Sequence, residues 1–78
     1  MDRILEEYLE ETIQNVGTNI KRRRLKKGWS LKKLSKKSGV GIKTINDIEL
    51  GINNPSKNTL YKLSRAFGIT IDKLVYGK

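Results

Sequence analysis

The side chains in this sequence that can do chemistry are cations, amides and hydroxyls grouped in short runs. What they support is the holding of anions and of hydrogen-bonding edges. Histidine and cysteine are both absent, which removes the commonest general base, thiol nucleophiles, disulfides and the usual nitrogen and sulfur metal ligands. No carboxylate pair suited to acid–base work lies beyond residue 16. The chain is therefore expected not to be an enzyme and to need no cofactor or metal. Seventeen Lys/Arg against eight Asp/Glu give a net charge of +9. Its distribution is more telling. Residues 1–16 hold one base, Arg3, and five acids, Asp2, Glu6, Glu7, Glu10 and Glu11. Residues 17–78 hold sixteen bases and three acids, Asp47, Glu49 and Asp72, a net +13 over 62 residues. That is the footprint of a polyanion binder, although a merely solvated surface would also carry such charge. Membrane adsorption wants large exposed apolar groups beside the cations, and no apolar run approaches the roughly 18 residues of a span.

The elements that must position these groups follow from apolar spacing and punctuation. Residues 2–16 predict an amphipathic helix, with Ile4, Leu5, Tyr8, Leu9, Thr12, Ile13 and Val16 on one side and the acids on the other. Gly17-Thr18 reads as a stop and a fresh N-cap, though one longer helix would show the same pattern. A second helix runs through Ile20 and Leu25 and ends at Gly28. Ser30 caps a third over Leu31 to about Ser38, with Trp29 and Leu34 in the hydrophobic-staple relation. Gly39 ends it. After Val40 and Gly41, apolar positions resume at Ile42, Ile45 and Ile48. Gly51 to Pro55 is a loop. Ser56 caps a helix from Lys57 to Ala66 that turns Leu60, Leu63 and Phe67 inward, and Thr70 caps a short last helix with Ile71, Leu74 and Val75. No strand pattern occurs, so the expected fold is all-α. Two regions follow: an acidic helix over 1–17 and a domain over 18–78. A single domain this small buries only about 60% of its unfolded surface, so marginal stability, or help from a partner subunit, is expected.

Two short helices joined by a three-residue turn containing glycine match the helix-turn-helix unit, here at residues 31–50. Such a unit sets its second helix in the major groove of DNA. That requires an apolar inner face, which Leu34, Val40, Ile45 and Ile48 supply, and a tight turn, which Gly39 permits. It also requires outward groups at the start of the second helix. Ile42, Lys43 and Thr44 stand there, with Asn46 and Asp47 one turn on.

Asn19 to Val75 resembles the Xre family of helix-turn-helix domains, the compact five-helix fold of the lambdoid phage repressors. The resemblance is carried by Ile20, Arg24, Gly28, Ser30, Leu34, Gly39-Val40, Thr44-Ile45, Ile48-Glu49-x-Gly51, Asn54-Pro55-Ser56, Leu60, Leu63, Ala66-Phe67-Gly68-Ile69 and Asp72-x-Leu74. It implies a cytoplasmic, prokaryotic or phage regulator that binds double-stranded DNA in a sequence-specific way, most often a repressor acting as a homodimer on a palindromic operator. Carried over to this chain, base contacts fall on Ile42, Lys43, Thr44 and Asp47. Lys43 would suit guanine O6/N7, Ile42 or Thr44 a thymine methyl, and Asp47 cytosine N4. Phosphate contacts fall on Ser30, Lys32, Asn46, Asn53, Asn54 and Lys57, where they fix register without reading sequence. Arg24 and Glu49 match a pair that commonly forms a structural ion pair in the family.

Leu31 stands where the family usually has glutamine, and Ile42 where a polar reader is common. These two apolar positions keep a rival open: a protein-interaction module, or an antitoxin-type partner subunit, that retains the fold. Trp29 is expected at the core or its edge. The apolar side of the acidic helix must be buried somewhere, either on its own basic domain or on a second subunit, and in the second case Leu5, Tyr8, Leu9 and Thr12 are the dimer contact.

Overall fold

The computed structural model describes residues 16–77. The acidic helix expected over residues 2–16, with the dimer contact at Leu5, Tyr8, Leu9 and Thr12, lies outside them apart from Val16. Among the described residues the chain forms five α-helices and no strand. These are α1 over residues 16–26, α2 Leu31–Ser38, α3 Ile42–Glu49, α4 Lys57–Phe67 and α5 Ile71–Tyr76.

Local signals explain the boundaries. Ser30, Ser56 and Thr70 each place a side-chain oxygen 3.0–3.1 Å from the backbone N–H three residues on, at Lys33, Thr59 and Lys73. Each cap satisfies one of the amides that a helix start leaves without a partner. Gly39 closes α2 at φ 78°, a conformation that a side chain disfavours. The chain can then restart as α3 after only two more residues.

Ile20, Leu34, Ile45, Leu63 and Leu74 are completely buried, one from each helix, and Val16, Val40, Ile48 and Phe67 complete the core. Trp29 is half-buried and stacks on Phe67, with ring centroids 5.5 Å apart and planes 11° from parallel. The staple residue thus ties the approach of α2 to the end of α4. Leu31, Leu60 and Val75 pack on the core from its margin.

Three features of α1 were left open by the sequence reading. Gly17 does not stop a helix, because residues 16–26 are helical without a break. Its lack of a side chain serves packing instead. A Cβ at Gly17 would overlap the carbonyl oxygen of Ile48 and lie 3.1 Å from the Ile48 carbonyl carbon and 3.2 Å from Glu49 Cα. The wall is backbone and cannot swing aside. Gly17→Ala gains up to about 1 kcal/mol of helix propensity, yet the overlap forces α1 away from α3. A net loss of about 1–3 kcal/mol is expected, read from the midpoint of urea unfolding; a more stable variant would contradict this packing.

Leu25, which the sequence reading placed in this helix with Ile20, is 57% exposed, and Arg24 takes the buried position at 8%. Asn19 is also buried. Its Nδ2 donates to the carbonyls of Leu74 at 3.4 Å and Val75 at 3.1 Å, while its Oδ1 accepts from Arg22 Nη2 at 3.2 Å. These bonds use carbonyls at the end of α5 and attach the last helix to the first.

Candidate nucleic-acid interface

Helix α3 is anchored on one side and open on the other. Ile45 and Ile48 point into the core, while Ile42, Lys43, Thr44 and Asn46 are exposed. Ile42, at 45% exposure, is an apolar patch at the start of the helix.

The far end of α3 is held by charge. Arg24 Nε and Nη2 donate to Glu49 Oε2 and Oε1 at 2.7 and 2.9 Å, a two-pronged pair. Arg24 Nη1 also donates to the Trp29 carbonyl at 3.0 Å. Only 10% of the Arg24 side chain and 4% of the Glu49 side chain are exposed. The hydrogen bond that Arg24 donates to Glu49 holds the guanidinium pKa above its ordinary value despite the opposing effect of burial. The pair therefore joins α1, the turn before α2 and α3 through one buried charged group. Planar guanidinium geometry suits this bidentate arrangement, which lysine could not reproduce.

Asp47 braces the loop that follows. Its carbonyl accepts from the amides of Ile52 and Asn53 at 2.9 and 3.3 Å. Its carboxylate accepts from Lys43 Nζ at 3.1 Å and from Asn53 Nδ2 at 3.5 Å. Lys43, Asp47 and Asn53 are thus brought together, although the sequence reading gave them separate contacts. In this state the Asp47 carboxylate, 14% exposed, is turned to its own loop, while the Lys43 side chain remains 88% exposed. An exposed i,i+4 pair of this kind is worth about 0.3–0.5 kcal/mol, so little holds the Lys43 ammonium in place.

The other expected contact residues lie at two helix starts and the loop between α3 and α4. Ser30 and Lys32 open α2, Lys57 opens α4, Asn53 and Asn54 lie in the loop, and all are exposed. The Ser30 hydroxyl oxygen is occupied as an acceptor by the cap, which leaves its proton free to donate. Amides at helix starts also favour anions. Among the described residues, no group of three or more His, Cys, Asp or Glu could hold a metal ion. No described helix is long and apolar enough to cross a membrane.

The helix-turn-helix family matches residues 20–74, more than half of the chain. Two curated relatives are similar over most of their own length. An uncharacterized HTH-type transcriptional regulator of Sinorhizobium fredii is 35% identical over 60 residues, which is 77% of this chain and 78% of the relative. An uncharacterized HTH-type transcriptional regulator of Archaeoglobus fulgidus is 40% identical over 57 residues, 73% of this chain and 81% of the relative. No solved structure gives a significant match.

Proposed function

This chain belongs to the Xre-like helix-turn-helix family, and on that premise we propose that it is a sequence-specific regulator of transcription that binds double-stranded DNA. The observation that carries the reading is α3 itself. Its inner face is fixed by Ile45 and Ile48, its end by the Arg24–Glu49 pair, and its opening residues are exposed, on a segment of net charge +13. Lys43, Ile42 and Thr44 read base edges in the major groove. Asp47 orients Lys43 and the Asn53 loop through Oδ2, which leaves Oδ1 as the acceptor for a cytosine. Ser30, Lys32, Asn46, Asn53, Asn54 and Lys57 hold phosphates and set register. The chain acts as a homodimer through Leu5, Tyr8, Leu9 and Thr12, and represses by occupying a palindrome whose half-sites lie about one helical turn apart. This activity requires no catalysis, cofactor or metal.

Lys43→Ala is the direct test of the base contact. Specific binding should weaken by about 1–3 kcal/mol while binding to random duplex changes little. Equal losses on both would assign Lys43 to phosphate and remove it from the reading set.

The exposed Ile42, Leu50 and Ile52, at 45, 62 and 65%, favour a second reading, a module that binds another protein through this apolar edge. Leu31 does not serve that reading, since it packs on the core.

A further inference from the structure

The cations of this domain are not confined to the side that α3 presents. A groove between the end of α2 and the length of α4 is lined by Lys37, Ser38, Asn58, Tyr61, Lys62, Arg65 and Ala66. A second groove, at the end of α1, is lined by Arg23, Lys26, Lys27, Phe67 and Ile69. Among the described residues, no carboxylate and no α3 residue lines either one. Phe67, in the lining of the second groove, stacks on Trp29. Lys27 Nζ and Lys37 Nζ lie 5.6 and 5.2 Å from the centre of the Trp29 ring, so one indole meets a cation from each groove. Arg65 lies 5.8 Å from the ring of Tyr61, which is 50% exposed. Helix α2 packs against both α3 and α4, and the α2–α4 groove is lined from α2 and α4 without α3.

We infer that this belt of Arg23, Lys26, Lys27, Lys37, Lys62 and Arg65 is a second, sequence-independent surface for nucleic-acid backbone, by which the domain holds a second duplex while α3 occupies the first. Cations with no acid beside them among the described residues, spread over two grooves, match a ligand that repeats its charge along its length. Duplex DNA carries one negative charge per about 1.7 Å of axis. Of the three acids beyond residue 16, Asp47 and Glu49 are already paired on α3 and Asp72 opens α5. The competing occupant is the acidic stretch of this same chain, with five carboxylates in residues 1–16.

The inference rests on the DNA-binding reading above, and one experiment separates the two. Beads carrying a 12-base-pair duplex are loaded with the full chain, washed, and offered a second, labelled 12-base-pair duplex. Trp29 is the chain's sole tryptophan and lies against Lys27 and Lys37, so the part of its emission change that the belt variant loses reports the belt in a parallel titration with duplex. The wild-type chain should capture the second duplex with a change in Trp29 emission. The variant Lys26→Gln/Lys62→Gln/Arg65→Gln should capture about tenfold less or lower and still be retained by the first duplex. Lys43→Ala should leave the emission change in place. Second-duplex capture by the triple variant equal to wild type would overturn the belt, as would Trp29 emission unmoved by DNA. So would emission that responds only when Glu6, Glu7, Glu10 and Glu11 are changed to Gln in the full chain, which would make the acidic stretch the occupant. A chain that fails to bind even the first duplex would overturn the DNA-binding reading itself.

Discussion

Replacing Glu49 with alanine is expected to remove about 3–5 kcal/mol of folding stability, because it leaves a buried guanidinium without its counter-charge. Arg24 would keep only its bond to the Trp29 carbonyl, in a site that exposes 10% of its side chain. A chain of 78 residues has on the order of 4–12 kcal/mol to lose. The variant should therefore unfold at a much lower urea concentration, or be largely unfolded at 25 °C. Arg24→Ala should behave alike, since it strands the carboxylate. The double replacement Arg24→Met/Glu49→Leu removes both charges and keeps the volume filled, so it should lie closer to wild type than either single variant. Urea unfolding followed by Trp29 emission and by helical circular dichroism measures all three. Single variants within about 1 kcal/mol of wild type would show that the pair does not fasten α3.

Ile45→Ala should cost about 2–5 kcal/mol, the range for truncating a large apolar side chain in a closed core. Ile45 is completely buried, and with Ile48 it makes up the buried face of α3. The informative control is three residues earlier on the same helix. Ile42 is the same residue type at 45% exposure, and Ile42→Ala should change stability by no more than about 0.5 kcal/mol. Its effect should appear in DNA binding, where Ile42 is proposed to meet a thymine methyl. Equal destabilisation by the two would mean that α3 is rotated from the position described, with Ile42 inside.

The contrast between these isoleucines was legible in the sequence, and so was most of the fold. Helix caps and stops act within four residues, so Ser30, Ser56, Thr70 and Gly39 announced their roles locally. The apolar spacing of Ile45, Ile48, Leu60, Leu63 and Phe67 reported which face turns inward. What local reading misplaced depends on contacts between distant parts of the chain. Gly17 stood open between a stop and a continuous helix because helix stops and close helix crossings both select glycine; only the Ile48 carbonyl against it separates the two. Periodicity over Ile20 and Leu25 did not say which residue of the basic run turns inward. The buried position belongs to Arg24 because Glu49, 25 residues later, meets it there; the family resemblance pointed to that pair where periodicity did not. Asn19 gave no signal, since its partners are backbone carbonyls 55 and 56 residues away. The candidate contact residues were named on the exposed side of α3 and its flanks, but the bonds that turn Asp47 toward Lys43 and Asn53 depend on the loop's path after Leu50.

That α3 reads a DNA sequence is tested most directly by selection from random duplex, followed by binding isotherms on the enriched site at several salt concentrations. The expected result is a palindrome bound at least about a thousandfold tighter than random DNA, with half-sites about one helical turn apart and a preference that survives added salt. If no sequence is enriched and all binding collapses as salt rises, only phosphate attraction is present, and α3 is not a reader of bases.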